Sequence, residues 1–556
     1  MLDLTEAHAL FSLLRARFVE QRAHLNRLDG VIGDGDHGAT MARAFRAVEH
    51  RLLAGDFDDL GELFDAVAAT FAEQAGGAIG PLLASLFAEG GVVFEGQATA
   101  DLAAVVRFFE RGLDAIQQVG RAERGDKTLL DALAPAVEAL RTHRSEGAEP
   151  ALEAALAAAE EGVAATRSMV AARGRARFLG ERAAGHPDPG AASVRLLFAA
   201  CLDFLRGERV PPEAPAEGKS VAVPGKLVNA PHRMIQEELE GLALAHPRYL
   251  RTTEHPGVLA RARPKEAGRV GVAIGHGGGH TPSMAGFVGE GLLDADAYGE
   301  LFTCAAGVRI GEAIALADRG AGVMLLVSHH SGDVLNARLA VRRAEERGIS
   351  VRSVLLTDDI STAPRARYRE RRGLGGLLFA LKVGGAAAEA GRPLDEVVRL
   401  TERTNERTAT LAVAVRPPTH PATGEPLFTL SPGEIEVGTG VHGESGVYAG
   451  PHLPADALVE LLLEQLVPDL EELIVADRLW AFVNGAGGTS MMELHIVYRG
   501  VVNALQRRGL QVADGVVNTY FTTQEMGGFS LSLCALDDEL IPWWEAPAHA
   551  PYFHHP

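Results

Sequence analysis

The apolar pattern of this sequence changes once, and that change dictates two kinds of fold. Up to about residue 205, segments such as LGELFDAVAATFAEQ, TLLDALAPAVEALRTH and EPALEAALAAAEEGVAATRSMVAA repeat apolar residues every three or four positions. That is the period of helices with one buried face. Alanine and leucine abound there, β-branched alternation is scarce, and glycine clusters interrupt the helices. The pattern predicts an all-α domain over residues 1–206, an antiparallel helical bundle or barrel with functional loops at the helix ends.

The stretch GERVPPEAPAEGKS follows, rich in proline and without apolar period, and predicts a linker over 207–221. Beyond it short β-rich runs, RVGVAIG, AGVMLLVS and SVRSVLLT, alternate with helical stretches. The alternation predicts α/β layers on a largely parallel sheet, with functional loops after the strand ends. LAVAVRPP, EIEVGTGV and LWAFVNGAGG open a further strand-rich stretch, so the α/β region divides into 222–400 and 401–556.

A chain of 556 residues exceeds what one hydrophobic core organises, in keeping with this division. Its formal net charge of −20 repels phosphate backbones and anionic lipid, and no long basic run offsets it, so neither nucleic acid nor a membrane surface is an expected partner. Cys201, Cys304 and Cys534 are too few and too scattered for a disulfide framework, and a reducing cytoplasm is the expected compartment. The N-terminus reads as an amphipathic helix rather than a signal peptide, and no apolar run approaches the roughly 20 residues that span a bilayer.

In the helical part, LDGVIGDGDHGATM places Asp29, Asp34 and Asp36 within eight residues, with glycines at 33, 35 and 38. Three carboxylates so close repel one another unless a cation neutralises them, and hard oxygen ligands suit magnesium. A solvated acidic turn is the plainer alternative. Three other glycine-containing segments accompany it: GGAIGP at 76–81, GDKTLLDAL at 125–133 and GRARFLGERAAGHPDPGA at 174–191. Glycine-rich turns at helix N-termini present backbone N–H groups to anions.

Together and in this order these four motifs resemble the nucleotide-binding (L) domain of the dihydroxyacetone kinase family. The resemblance implies that Asp29, Asp34 and Asp36 bind two magnesium ions bridging the phosphates of ATP. It also implies that His37, Gly38, Ala39, Thr40, Ala78, Ile79, Gly120, Leu129, Arg175, Asp188, Pro189 and Gly190 line the nucleotide site. Ile79 departs from the family, which usually has a hydroxyl residue there. Without the motif context Arg175 reads equally as a surface arginine and Leu129 as core packing.

The second part carries three polar breaks after strand-like runs. VAIGHGGGHTP places His276 and His280 on a loop whose glycines, Gly277, Gly278 and Gly279 among them, let backbone approach a small ligand. The intervening glycines argue against a helical histidine pair for metal, and a structural polar role is expected for His276. LLVSHHSGD brings Asp333 to the start of a helix, where it either caps that helix or does chemistry. EIEVGTGVHGESG sets His442 after an alternating strand, in reach of nucleophile or base chemistry near neutral pH.

These pieces, with TDDIS at 357–361, RRGLGG at 371–376, NGAGGTSMMEL at 484–494 and the late EMGGFSLSL, resemble the K domain of the same family. The resemblance implies that His442 holds the ketone carbon as a hemiaminal, Asp333 is the general base toward the terminal hydroxyl, and His280 hydrogen-bonds the substrate. Covalent capture of a carbonyl selects ketones over polyols such as glycerol. The family's GGGSGHEP reads GHGGGHTP here and its KNYTGD reads SHHSGD, so the chemistry is kept while its surroundings change. The expected activity is an ATP-dependent kinase for dihydroxyacetone, with a four-carbon ketose such as erythrulose as the alternative. A ketose-sensing adaptor without turnover is the competing class. The resemblance further implies a homodimer in which one chain's nucleotide domain can serve its partner's substrate domain.

Overall fold

A computed structural model describes every residue except 34, 214–225, 231–232, 420, 422–423, 425 and 442–445, together with all side chains of the described residues but those of Arg175 and Phe178. The chain divides into two compact units, Met1–Lys219 and Ser220–Pro556.

The first unit is helical. Its helices are α1 (Leu4–Glu20), α2 (Arg22–Ile32), α3 (His37–Ala54), α4 (Leu60–Gln74), α5 (Ile79–Val93), α6 (Leu102–Gly120), α7 (Leu130–His143), α8 (Ala148–Thr166) and α9 (Pro189–Leu205). The two-residue strands β1 (Leu2–Asp3) and β2 (Thr99–Ala100) pair antiparallel beside them. Aspartates start several of these helices: Asp3, Asp59, Asp101 and Asp188 each accept the backbone N–H three residues on. A side-chain oxygen there satisfies one of the donors that a helix start leaves without an intrahelical partner.

Phenylalanines fill the centre. Phe18 stacks on Phe45 at 4.6 Å, Phe45 meets Phe71 edge-on at 5.1 Å, and Phe71 stacks on Phe87 at 5.1 Å. Each buried ring contributes about 1.5–3 kcal/mol of transfer free energy. The proline-rich stretch is anchored where it begins: Arg15 donates to the Pro211 carbonyl and the Glu213 amide donates to Glu49.

The second unit opens with α10 (Met234–Ala245), then β3 (Leu250–Thr252), β4 (Val258–Arg261), β5 (Gly271–Gly278), β6 (Ala295–Leu301), α11 (Gly307–Ala317), β7 (Val323–Ser328), α12 (Ser331–Glu346) and β8 (Val351–Leu356). These strands form one six-stranded sheet in the order β3-β4-β6-β5-β7-β8. After α13 (Leu377–Glu389) and α14 (Leu394–Glu406) come β9 (Thr408–Arg416), β10 (Glu434–Val437), β11 (Tyr448–Pro451), α15 (Ala455–Leu470), β12 (Arg478–Gly485), α16 (Met491–Arg507), β13 (Gln511–Asn518) and β14 (Gly527–Cys534). They form a second sheet, β11-β10-β9-β14-β12-β13.

The expected largely parallel arrangement holds for β6-β5-β7-β8 in the first sheet. In the second sheet every pairing is antiparallel except β12–β13, which α16 joins as a βαβ crossover. An apolar strand buried on both faces reads the same in either direction, so its sequence does not report strand polarity. One core runs between the sheets, from Val272, Ile274 and Leu326 through Phe379 and Leu381 to Trp480, Phe482 and Trp544. Helix α13, buried from Leu377 to Ala388, lies in it. Among the described residues no helix is long and apolar enough to cross a membrane.

Candidate functional site

In the helical unit the acidic loop lies between α2 and α3. Asp29 is 8% exposed, and its Oδ2 accepts the N–H groups of Asp36 and His37 at 3.0 and 3.2 Å. A carboxylate accepting two amides at a helix start both caps α3 and brings negative charge to its positive end. Gly33 is required here, since a Cβ would come within 2.2 Å of Asp29 Oδ1. The Ala39 amide donates to Asn26, and Gly38 lets α3 approach the Arg22 carbonyl, where a Cβ would meet it at 2.2 Å.

His37 begins α3, and its Nε2 lies 2.7 Å from the Ser193 hydroxyl on α9. Burial lowers its pKa despite the pull of Asp29, so the ring is a neutral link between two helices. At the start of α9, Asp188 accepts the Ala191 amide. Burial pushes the Asp188 carboxyl up to about 7, and the nearby charge of Asp29 pushes the same way. Gly190 abuts Leu129 at the start of α7, where a Cβ would come within 3.2 Å of the Leu129 Cβ. Asp29, His37, Leu129, Asp188 and Gly190, from three separate motifs, are thus brought to one end of the unit.

Ala78 and Ile79 stand at the start of α5, Gly120 at the end of α6, and Arg175 at the start of a 3-10 stretch. Asp34 lies outside the described residues, as does the Arg175 side chain. Among the described residues no group of three metal-ligating side chains stands together. The donor set nonetheless fits magnesium, since Asp29 and Asp36 offer hard carboxylate oxygens.

Sequence reasoning missed Lys127. It is 1% exposed, and its Nζ donates to the carbonyls of Thr166 and His186 at 2.7 and 2.6 Å, tying the 125–133 segment to the loop before α9. Its backbone φ of 58° was the local irregularity that no periodic pattern reports.

In the second unit the parallel neighbours β5 and β7 end side by side, so the loops after them converge. His280 follows β5 and is 7% exposed. Its Nδ1 lies 2.6 Å from the Thr522 carbonyl, and its ring packs 5.4 Å from Phe302. Asp333 stands in the first turn of α12, 7% exposed, three residues after the cap position, which is His330.

His276 lies inside β5 rather than on the loop after it, 8% exposed, its ring 6.5 Å from that of His280. Burial lowers its pKa, and the adjacent Asp296 more than offsets this, so the net shift is upward, with Asp333 contributing. The glycines around it serve packing: a Cβ on Gly277 would meet the Thr303 amide at 2.9 Å, and one on Gly278 would meet Ile235 at 2.3 Å. Gly279 has a φ of +91°, which starts the turn.

His442 lies outside the described residues, but its neighbour Val441 does not. The Thr523 hydroxyl donates to the Val441 carbonyl, one residue from the Thr522 carbonyl that holds His280, and the Gln524 amide donates to Gly279. Asn484 orients this segment, accepting the amides of Tyr520 and Phe521 and donating to the Phe521 carbonyl. Residues 520–524 therefore join the loop of His280 to the chain entering His442. In the sequence Asn484 stands out only as part of NGAGG, and Thr522 and Thr523 carry no local signal.

The altered SHHSGD turn faces RRGLGG. His329 Nδ1 donates to the Arg371 carbonyl at 2.7 Å, and a Cβ on Gly373 would meet the Ser328 hydroxyl at 2.7 Å. TDDIS braces the same segment: Asp359 takes Arg372 Nε at 2.6 Å, and Asp358 accepts the amides of Leu374 and Gly376.

Comparison with known proteins gives both halves a counterpart. The Dak1 domain family matches residues 240–552 and the DAK2 domain family residues 31–203. An L-erythrulose kinase of Pectobacterium atrosepticum is 39% identical over 330 residues, covering 59% of this chain and 56% of that protein. The chain thus spans little more than half the length of that relative. The dihydroxyacetone-binding subunit DhaK of a PTS-dependent dihydroxyacetone kinase from Listeria innocua is 37% identical over 314 residues, 56% of this chain and 95% of that protein. Among solved structures, the dihydroxyacetone kinase of C. freundii, solved also with AMP-PNP and Mg2+, superposes with a TM-score of 0.55 at 26% identity, over 59% of this chain and 61% of that one. A dihydroxyacetone kinase operon co-activator superposes with a TM-score of 0.55 at 29% identity, over 58% of this chain and 98% of its own.

Proposed function

The chain belongs to the dihydroxyacetone kinase family, with a DAK2 domain ahead of a Dak1 domain, and from that premise we propose that it is an ATP-dependent kinase for the terminal hydroxyl of a short-chain ketose. The observation that carries the reading is the 520–524 segment, which holds His280 through Thr522 and the chain entering His442 through Thr523.

An imidazole nitrogen of His442 adds to the ketone carbon. A C–N bond forms, the carbonyl π pair moves to oxygen, and the imidazole N–H proton passes to that oxygen. His280, its Nδ1 proton donated to the Thr522 carbonyl, would hydrogen-bond the substrate through Nε2. The terminal hydroxyl then attacks the γ-phosphorus of ATP, Asp333 takes its proton, and ADP leaves. Reversal of the C–N bond releases the phosphorylated ketose. Magnesium held by Asp29, Asp34 and Asp36 would neutralise phosphate charge during the transfer. Nucleotide contacts would come from His37, Gly38, Ala39, Thr40, Ala78, Ile79, Gly120, Leu129, Arg175, Asp188, Pro189 and Gly190. The same reading makes the enzyme a cytoplasmic homodimer.

Dihydroxyacetone is the first substrate and erythrulose the second. The second is favoured by the 39% identity to an L-erythrulose kinase and by the rebuilt GHGGGHTP and SHHSGD loops. A coupled ADP-release assay with magnesium and ATP over dihydroxyacetone, both erythrulose enantiomers, glyceraldehyde and glycerol tests the proposal. Turnover confined to a tetrulose selects the second substrate, and turnover of none replaces the kinase by a sensing role like that of the co-activator.

A further inference from the structure

Beneath the turn that follows β5 lies a cluster of buried and half-buried polar side chains from three elements. His276 comes from β5, Asp296 and Tyr298 from β6, and Glu238 from α10. Asp296 and Tyr298 are fully buried. His276 Nε2 lies 3.1 Å from Asp296 Oδ2 and 3.0 Å from the Met284 amide nitrogen, a position from which it accepts the amide when unprotonated and donates to Asp296 when protonated. The Tyr298 hydroxyl donates to the Ser283 carbonyl at 3.0 Å, and its ring packs edge-on against His276 at 4.4 Å. The Thr281 hydroxyl donates to Glu238. From above, the Thr522 hydroxyl holds the Thr281 carbonyl and the Ser283 amide reaches the Tyr520 carbonyl.

The cluster is costly as packing. Two or more ionisable groups taken from water lose solvation that an apolar pair of the same volume would not. Asp296 Oδ1 is buried without a hydrogen-bond partner, a penalty native cores rarely keep. Two of the positions where GHGGGHTP departs from GGGSGHEP, His276 and Thr281, supply contacts to this cluster. What the cluster holds is the turn of residues 281–285, which begins at His280.

We propose that His276 is a positioning residue for His280: set between Asp296 and the Met284 amide, it fixes with Glu238 and Tyr298 the turn from which His280 meets the ketose. This rests on the reading of His280 as a substrate-contacting group. The cluster determines where the His280 ring stands relative to Thr522 and to the chain entering His442. Its loss acts on the reacting geometry, where misplacement by about 1 Å costs on the order of 100-fold in rate.

The test uses the full chain and three variants: His276→Gln, which keeps an acceptor for the Met284 amide, His276→Met, and the pair His276→Leu with Asp296→Leu. Melting, kcat and KM for dihydroxyacetone and L-erythrulose, and hydrogen exchange of the 280–286 peptide are measured together. The Leu pair is expected to melt at or above the wild-type temperature while kcat falls at least tenfold, KM moves less and exchange in 280–286 accelerates. His276→Gln is expected to recover most of the loss that His276→Met shows. Wild-type kcat and exchange in the Leu pair overturn the proposal, as does equal activity of His276→Gln and His276→Met if the pair does not fold. If the wild type phosphorylates no ketose, the kinase reading fails, and exchange in 280–286 alone decides the role of His276.

Discussion

His280 and Thr522 stand 242 residues apart in sequence, and the His280 Nδ1 meets the Thr522 carbonyl at 2.6 Å. A carbonyl only accepts, so Nδ1 carries the proton that His280 donates to it. Asparagine reproduces the Nδ1 donor and lacks Nε2. His280→Asn is therefore expected to keep the fold, with little change in melting temperature, while kcat/KM for the ketose falls by on the order of 10²–10⁴. Steady-state kinetics beside a melting curve check this, and unchanged kinetics would remove His280 from the chemistry.

The Thr523 hydroxyl donates to the carbonyl of Val441, the residue before His442 in the sequence. If His442 forms the hemiaminal, native mass spectrometry of the wild type with dihydroxyacetone shows one added ketose mass per chain. His442→Ala is expected to show none and to lose preference for ketones over glycerol. An undiminished adduct in that variant would assign capture to another group.

Lys382 gives a pH prediction. It is fully buried on α13, and its Nζ donates to the carbonyls of Trp543 and Ala546 at 2.8 and 2.7 Å. Burial pushes its pKa down to about 8, against 10.5 ordinarily. Between those values the unfolded chain binds more protons than the folded one, so this group's contribution to stability rises with pH across the window and falls as pH drops to the folded pKa. Relative to Lys382→Met, the wild type is expected to gain about 2 kcal/mol of unfolding free energy between pH 8 and 9.5. Urea denaturation at the two pH values measures it; a constant difference contradicts the lowered pKa.

How much of this was legible in the sequence depends on the range of the interaction. The helical unit is written in local signals: a 3.6-residue period and aspartates such as Asp59 and Asp101 at helix starts. Glycines of the acidic loop were legible too, because Gly33 is forced by Asp29 four residues before it. Strand polarity in the second sheet was not, since β9 and β14 are buried on both faces and their residue pattern is the same read in either direction. His276 read as a loop residue because glycines surround it, yet its partner Asp296 is 20 residues away on another strand. The Thr522 and Thr523 contacts are longer in range still, and their polar run between strands carries no local mark of its partners.

Asp29 is both a cap and a proposed metal ligand, and two substitutions separate those roles. Asparagine keeps one oxygen for the Asp36 and His37 amides and removes the charge. Asp29→Asn is therefore expected to leave the melting temperature nearly unchanged while weakening magnesium-dependent binding of a non-hydrolysable ATP analogue at least tenfold. Asp29→Ala removes the cap as well, and is expected to cost about 1 kcal/mol of stability in addition. Calorimetric titration with and without magnesium distinguishes the two. If Asp29→Asn binds the nucleotide as tightly as the wild type at every magnesium concentration, Asp29 is a cap alone, and the acidic loop must hold its cation without it.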